Sequence, residues 1–260
     1  MTAPLPPITA AQRLRERSDR PEGLHAMWNT WRDLLFLHWS FPVETVQALL
    51  PPGLAVDSWD GRAWVGVVPF EMENIRPRFI PPVPGISYFL ELNVRTYVVD
   101  SEGRTGVWFF ALDCNQPLAV SIGNRVFRLL YRHAQMHVHH RQNDWTHYVS
   151  GLEGSSWEGA ARFRWRPSEA PVHKAAPGSL EEFLVERYRY FGYDFEAQRM
   201  MTGLVRHEPY DIAPAEVAEA RVATLFHSVG LPEPEGPLES ALWSPVAKVK
   251  IHLPRWAPRV

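Results

Sequence analysis

Four polar side chains recur at every second position of one predicted strand. Residues 87–99 read SYFLELNVRTYVV, and side chains alternate between the two faces of a strand. If the strand lies in a closed sheet, the polar face points into the lumen and forms a pocket. Arginine can bind a carboxylate through two hydrogen bonds, and glutamate can transfer a proton. The polar face carries Glu91, Asn93, Arg95 and Tyr97.

Two simpler interpretations of this pattern stay open. A one-sided sheet would expose the polar face to solvent, as in most surface strands. Alternatively, Glu91 and Arg95 form a structural ion pair. The pocket interpretation predicts that both side chains lie in a concave site.

A second candidate site follows the next predicted strand. Asp113 stands near the end of that strand, and Arg125 and Arg128 are close to one helical turn apart. Two arginines in this arrangement could clamp an anionic ligand. The alternative is that Asp113 caps a loop and the arginines are solvated. The candidate ligand-binding set is therefore Glu91, Asn93, Arg95, Tyr97, Asp113 and Arg125, with no catalytic residue assigned.

Histidines cluster between positions 133 and 147. His133, His137 and His139 share one strand face, a geometry that permits a metal site. No acidic or thiol ligand alternates with them, so we predict no metal at this cluster. Nothing in the sequence indicates another cofactor. The complete cluster is His133, His137, His139, His140 and His147.

Lysine chemistry has only three candidates, Lys174, Lys248 and Lys250. A lysine that forms an imine needs burial or a neighbouring cation to lower its pKa. Lys174 falls in a Pro- and Ala-rich stretch typical of an exposed loop. Lys248 and Lys250 share one face of the last predicted strand, where lysines discourage edge-to-edge aggregation. We therefore predict no imine chemistry at these three residues.

The elements that position these residues are mostly strands. A buried apolar run at 34–41 predicts a strand. Further strands are predicted at 54–58, 62–70, 87–99, 106–114, 131–140, 144–151, 159–166, 191–207 and 242–253, and Asp60-Gly61 predicts a hairpin turn between residues 54–58 and 62–70. Helical spacing or capping signals predict helices over Val43–Leu50, Pro117–Arg128, Ser179–Tyr190 and Pro214–Phe226. The pattern is that of an α+β protein with one curled antiparallel sheet or barrel and a few short helices. We predict a loose arm over residues 1–22 and a single domain over residues 23–260.

Composition limits the class of partner. The 260 residues are 45% hydrophobic and 22% charged, with a net charge of −2, which is typical of a globular protein. No overall field favours nucleic acid or an anionic membrane, and no apolar run approaches the ~20 residues that span a bilayer. The N-terminus lacks the apolar segment of a secretory signal. We expect a cytoplasmic protein with a small-molecule ligand, and homo-oligomers are compatible with the sequence.

An ordered set of short motifs resembles the YqjF-like family, catalogued as a domain of unknown function. The similarity extends from about Trp28 to His207. The motifs are WRDLLFLHW at 31–39, LPPGL at 50–54, Asp57, Asp60-Gly61, AWVG at 63–66, VPF at 68–70, ELNVRTYV at 91–98, GVWFF at 106–110 and ERY at 186–188.

The resemblance implies an acetoacetate-decarboxylase-like fold. In that superfamily a curled antiparallel sheet closes toward a cone-shaped barrel around a central cavity. The decarboxylases use a lysine that forms an imine, with a second lysine directly beside it. This sequence has no Lys-Lys pair and no lysine between Asp113 and His140. The catalytic lysine therefore cannot be carried over.

Three functions remain open on the sequence alone. The first is a small-molecule-binding protein with a polar cavity for an anionic or carbonyl-containing ligand. The second is a lyase or hydrolase that uses Glu and Arg for acid–base chemistry in place of lysine. The third is a cavity-bearing scaffold or regulatory module without chemistry. The first requires the fewest assumptions, because a fold does not by itself define a function.

Overall fold

The computed structural model describes residues 9, 25–140 and 144–257 of the chain. The predicted arm over residues 1–22 lies outside the described residues, except for Thr9. Within these ranges the chain forms thirteen strands, four short α-helices and one 3₁₀ turn. Each of these helices falls short of the length and hydropathy that a membrane-spanning helix requires.

The elements are labelled in chain order. The strands are β1 (Met27–Phe41), β2 (Leu54–Val56), β3 (Ala63–Pro77), β4 (Phe89–Asp100), β5 (Thr105–Cys114), β6 (Tyr131–His140), β7 (Thr146–Leu152), β8 (Ala161–Pro167), β9 (Arg189–Asp194), β10 (Arg199–Arg206), β11 (Ala213–Arg221), β12 (Ser240–Ile251) and β13 (Arg255–Trp256). The helices are α1 (Val43–Gln47), α2 (Pro117–Val126), α3 (Leu180–Val185) and α4 (Ala223–His227), and the 3₁₀ turn is Trp157–Gly159.

One curled sheet contains all of these strands, in the order β13-β10-β9-β5-β6-β7-β8-β11-β12-β1-β3-β4-β2. Two further pairings, β4–β5 and β10–β12, join strands that are distant in this order. The predicted curled sheet with a few short helices is therefore confirmed. Because β5 pairs in parallel with β6 and β9, the sheet is mixed rather than wholly antiparallel. Parallel neighbours need a crossover connection, and α2 lies in the connection between β5 and β6.

The curled sheet encloses two groups of buried side chains. The first, here called the apolar core, includes Trp39, Tyr148, Phe163, Trp165 and Phe226. The second, here called the cavity core, includes Phe36, Phe70, Tyr97, Phe183 and Tyr190. Strands β1, β3, β4 and β5 contribute side chains to both cores.

Strand β4 lies between the two cores and has no solvent-exposed face. Its side chains are buried at every position from Leu90 to Asp100. Leu92, Val94 and Val98 belong to the apolar core, whereas Tyr97 belongs to the cavity core. Alternation along the strand thus separates two interior environments, rather than an interior from solvent.

The helix predicted over Ser179–Tyr190 begins as expected and ends early. Ser179 caps it, because its Oγ accepts a hydrogen bond from the Glu182 backbone N–H at 3.2 Å. The helix stops at Val185, and the chain then enters β9. Arg187, just before that strand, forms an ion pair with a distant segment. Tertiary contacts therefore outweigh helix propensity here.

Two other predictions need correction. The helix over Pro214–Phe226 is wrong for most of its length, because Ala213–Arg221 is strand β11 and pairs with β8 and β12. Its apolar residues also alternate, and short runs of this kind do not distinguish helix from strand. The strand over residues 191–207 is two strands, β9 and β10, joined by a turn in which Gln198 has a φ of 49°. The Asp60-Gly61 turn is present, but β2 pairs with β4 and not with β3.

Candidate ligand cavity

A cavity of about 300 Å³ lies within the cavity core. Its wall comes from the central strands, the segment before β4 and helix α2. Most of the wall is aliphatic or aromatic, so the predicted polar lumen is replaced by an apolar wall with a few polar groups. That composition is usual for small-molecule sites. The apolar wall includes Trp31, Phe36, Phe70, Met72, Phe109 and Ile122.

Three of the four polar residues predicted on one face of β4 line this cavity. Glu91, Asn93 and Arg95 are 4%, 5% and 8% exposed, respectively. Tyr97 is fully buried beside them in the cavity core. The solvent-facing alternative is therefore wrong for β4. The structural ion-pair alternative also fails, because no ion pair joins Glu91 to Arg95 in the described part of the chain.

Glu91 is a buried carboxyl group with one hydroxyl donor. The Tyr131 hydroxyl, from β6, donates to Glu91 Oε2 at 2.9 Å. Burial raises the pKa of Glu91 to about 7, and the hydrogen bond from Tyr131 opposes that rise. A carboxyl group with this pKa exchanges a proton readily near neutral pH. Glu91 is thus the cavity residue best suited to acid–base chemistry.

Arg95 is held by the end of helix α3. Its Nη2 donates to the Leu184 backbone carbonyl at 3.0 Å, and its guanidinium lies 5.4 Å from the centre of the Phe36 ring. Among the described residues, Arg95 Nε and Asn93 Oδ1 are buried without a hydrogen-bond partner. Buried polar groups are nearly always paired. A ligand that supplies an acceptor to Arg95 and a donor to Asn93 would satisfy both.

The sequence analysis missed two further cationic residues of the wall, Arg187 and Arg189. Arg187 Nη1 lies 2.8 Å from Asp57 Oδ2, and both side chains are almost fully buried. Arg187 also donates from Nε to the Phe183 carbonyl at 2.8 Å. The available signal was the ERY motif at 186–188, one of the motifs that carry the family resemblance. The predicted helix over that segment concealed its role.

A buried hydrogen-bond chain supports the cavity from behind. The Tyr97 hydroxyl donates to the Leu184 carbonyl at 2.6 Å and lies 2.8 Å from His38 Nε2. The Tyr97 proton is used toward Leu184, so His38 Nε2 must be the donor in the second bond. Burial lowers the pKa of His38 well below its usual value, with a further contribution from Arg95. A neutral His38 therefore fixes Tyr97, which in turn holds α3 against β4.

The structure places the last two candidates, Asp113 and Arg125, outside the residues that line the cavity. Asp113 is buried and pairs with Arg132 Nε at 2.7 Å. Burial raises the pKa of Asp113, while Arg132 opposes that rise. Arg125 is exposed in the last turn of α2, and Arg128 pairs with Asp194 at 3.3 Å. The predicted clamp of Arg125 and Arg128 therefore lies outside the cavity wall.

All three lysines lie away from the cavity wall. Lys174 pairs with Asp211 at 2.8 Å on the surface. Lys248 and Lys250 are exposed on β12, and Lys250 lies 4.9 Å from the Trp28 ring centre. An imine mechanism therefore lacks a nucleophile in this cavity.

The histidine cluster forms pairs that the sequence did not predict. His133 Nδ1 lies 2.7 Å from Glu153, and the two nitrogens of His140 lie 2.9 Å from Glu71 and 3.7 Å from Asp33. The donor atoms of Asp33, Glu71 and His140 lie within 4.8 Å of one another, so they could hold a metal ion. The two carboxylates come from β1 and β3, which are far away in sequence. The expectation that this protein binds no metal stays a prediction.

The sequence matches a known protein family. The model of the DUF2071 family, described as an uncharacterized conserved protein, matches residues 29–248. The uncharacterized protein YqjF of Bacillus subtilis (strain 168) is 37% identical over 215 residues, which cover 83% of this chain and 86% of YqjF.

Solved structures with a similar fold have low sequence identity. An acetoacetate decarboxylase-like enzyme from Sphingomonas wittichii RW1 is 12% identical, with a TM-score of 0.61 over 92% of this chain and 95% of that one. Acetoacetate decarboxylase from Legionella pneumophila is 10% identical, with a TM-score of 0.61 over 94% of each chain. The enduracididine biosynthesis enzyme MppR is 10% identical, with a TM-score of 0.61 over 90% of each chain. These likenesses show an acetoacetate-decarboxylase-like fold.

Proposed function

The chain belongs to the uncharacterised YqjF-like DUF2071 family, and on that premise we propose that it binds a small amphipathic carboxylate in the cavity. The observation that carries this proposal is the buried guanidinium of Arg95 in an otherwise apolar wall. Its Nε has no partner among the described residues. The planar guanidinium matches the geometry of a carboxylate.

The charges along the wall favour an anion. The charged residues of the wall are Glu91, Arg95, Arg187 and Arg189. Asp57 already balances Arg187, and Glu91 is only partly ionised at neutral pH because its pKa is about 7. Arg95 has no acidic partner among the described residues, so its positive charge attracts a carboxylate, and the apolar wall accommodates the rest of the ligand.

A ligand that also carries a carbonyl group gains a contact at β4, because the Asn93 side-chain NH₂ can donate to a carbonyl oxygen next to the carboxylate. Asn93 Oδ1, which has no partner among the described residues, would be satisfied by a ligand hydroxyl. The structural neighbour MppR has been crystallised in complex with pyruvate, which supports a 2-oxo acid as the first probe. The wall has no lysine, so the proposed binding is non-covalent.

Calorimetric titration of the purified protein tests this proposal. The probes are pyruvate, acetoacetate and hexanoate, each paired with its neutral amide. We expect the acids to bind and the amides not to bind. Replacement of Arg95 by Gln should weaken binding about tenfold or more, because a charge-assisted hydrogen bond is lost. Replacement of Arg125 by Gln is the matched control and should leave binding unchanged. Equal binding of acids and amides would contradict the proposal.

A second candidate function is proton transfer by Glu91. Its pKa of about 7 suits a general base that removes a proton from the carbon next to a ligand carbonyl. Deuterium exchange at the pyruvate methyl group, followed by NMR, measures this step. We expect exchange to rise with pH through about 7 and to be lost in Glu91→Gln. Binding of the ligand without exchange above the buffer rate would instead favour a non-catalytic binding protein.

A further inference from the structure

Exposed apolar side chains surround the opening of the cavity. Five residues of the cavity wall also face solvent, with exposed fractions of 39–49%. A side chain that contacts both the cavity and solvent marks the mouth. These five residues are Ile80, Val83, Ile86, Leu118 and Ile122.

Phe79 extends this apolar surface away from the wall. It is 90% exposed and has a φ of 72°. A bulky side chain in the left-handed region is rare. Its ring centre lies 4.9 Å from the Arg78 guanidinium. Phe79 therefore adds a large exposed apolar side chain beside the mouth of the cavity.

The loop and the helix at the mouth are joined. The Gln116 side chain caps α2 by accepting a hydrogen bond from the Leu118 backbone N–H at 3.0 Å. Its amide also donates to the backbone carbonyl of Gly85 in the loop. Residues 76–88 and helix α2 therefore form one continuous feature, here called the mouth surface.

The mouth surface is basic although the whole chain is not. Residues 76–88 and helix α2 contain Arg76, Arg78 and Arg125 and no Asp or Glu, whereas the chain has a net charge of −2. Burial, and then the positive charges of Arg78 and Lys250, lower the pKa of His25. Positive charge therefore extends from the loop to the end of β12.

We propose that the mouth surface docks on an anionic lipid bilayer. Phe79 and the exposed apolar residues of α2 would enter the interfacial region, while Arg78 and Arg125 would contact lipid phosphates. Exposed apolar patches of this kind mark protein or membrane interaction sites. The mouth surface carries Arg76, Arg78 and Arg125 and no Asp or Glu, which favours an anionic bilayer over a second copy of this chain. The expectation of no membrane partner rested on the net charge, which hides this local asymmetry.

Docking at the mouth would let an amphipathic ligand pass between the bilayer and the cavity without crossing water. The docking proposal does not depend on that consequence, nor on the function proposed above. It can therefore be tested without any ligand.

The test is sedimentation of the full chain with lipid vesicles. One set contains phosphatidylcholine alone, and the other replaces a quarter of it with phosphatidylglycerol. The main variant is Phe79→Asn, because Asn removes the apolar ring and tolerates a positive φ better than Phe. The matched control is Phe195→Asn, which removes an aromatic ring that is 57% exposed between Asp194 and Glu196.

We expect the wild type to sediment with the phosphatidylglycerol vesicles and to be released by salt. Phe79→Asn should bind them at least about tenfold more weakly, because the ring's burial is lost. Arg125→Gln should weaken only the salt-sensitive part, and Phe195→Asn should bind as the wild type does. The proposal is overturned if the wild type does not sediment with the phosphatidylglycerol vesicles, or if Phe79→Asn and Phe195→Asn lose binding equally. It is also overturned if Phe79→Asn instead dissociates a homo-oligomer of a protein that does not bind vesicles.

Discussion

The apolar core and the cavity core share strands β1, β3, β4 and β5 but differ in what their side chains do. The apolar core is filled with aromatic rings such as Trp39, Phe163 and Trp165. The cavity core keeps about 300 Å³ open and brings Glu91 and Arg95 to its wall. Strand β4 therefore has two roles. Its even-numbered side chains, such as Leu92 and Val94, pack in the apolar core and stabilise the fold, whereas its odd-numbered side chains Glu91, Asn93 and Arg95 line the cavity.

We expect the largest change in stability from loss of the buried Asp57–Arg187 ion pair beside the cavity. Replacement of Asp57 by Ala removes the carboxylate that lies 2.8 Å from the buried Arg187 guanidinium, and we expect a loss of about 3–5 kcal/mol in the free energy of unfolding. Urea denaturation measures it. The control is Asp211→Ala, which breaks the exposed pair with Lys174 and should cost no more than about 1 kcal/mol. Similar losses in both variants would show that burial of the Asp57–Arg187 pair does not matter.

Adjacent residues of β4 test the comparison within one strand. Leu92→Ala opens a hole in the apolar core, and we expect it to lower the free energy of unfolding by about 2–5 kcal/mol. Asn93→Leu replaces an amide whose oxygen has no described partner and faces open space, so we expect a change below about 1 kcal/mol. Thermal or urea unfolding of both variants measures the difference. A larger loss from Asn93→Leu would mean that the cavity side is packed as tightly as the apolar core.

The cavity core should also respond to pH. The folded state holds Glu91 at a pKa of about 7, above its usual 4.5. Between these values the folded protein binds a proton that the unfolded chain has released. Stability conferred by the neutral carboxyl is therefore complete at low pH, and it falls as pH rises toward 7, by about 3 kcal/mol in all.

The measurement is urea unfolding at pH 5 and pH 8 for the wild type and Glu91→Gln. The difference between the two proteins isolates this carboxyl from other titrating groups. The variant should lack the loss that the wild type shows. Parallel pH profiles for the two proteins would contradict a raised pKa at Glu91.

The smallest effect concerns the helix that anchors the cavity. Ser179→Ala removes the cap of α3, and we expect a loss of about 1 kcal/mol. The Leu184 carbonyl at the end of this helix accepts hydrogen bonds from Arg95 and Tyr97. In Ser179→Ala we therefore expect the ligand affinity measured by titration to fall slightly, together with the free energy of unfolding. Unchanged binding would show that Arg95 is held independently of the helix.

Alternation along β4 was sufficient to predict which polar residues share a wall, because strand geometry is local. It could not reveal that the opposite face is also buried, because that depends on the closure of the sheet. The ion pairs Asp57–Arg187 and Asp113–Arg132 also depend on the tertiary fold, so a local sequence pattern could not predict them. Asp57 and Arg187 are 130 residues apart in the sequence, whereas the second pair depends on a parallel strand pairing.

The misassigned helices have a related cause. In Pro214–Phe226 the sequence fits both periodicities, and only pairing with neighbouring strands decides between them. In Ser179–Tyr190 the capping signal was correct, but the stop came from burial of Arg187 against Asp57. For α1, α2 and α3 the sequence predicts the first residue to within one position, whereas each helix ends two to five residues earlier than predicted.

Strand β4 acts as a partition wall that both interiors share. Substitution of Leu92 or Val94, on the apolar side, by a larger or smaller residue must shift the backbone, because protein interiors are close-packed. That shift carries Glu91, Asn93 and Arg95 with it. Ligand selectivity in this family could thus diverge through substitutions that never touch the ligand, and the apolar core would be a remote tuning element for the cavity.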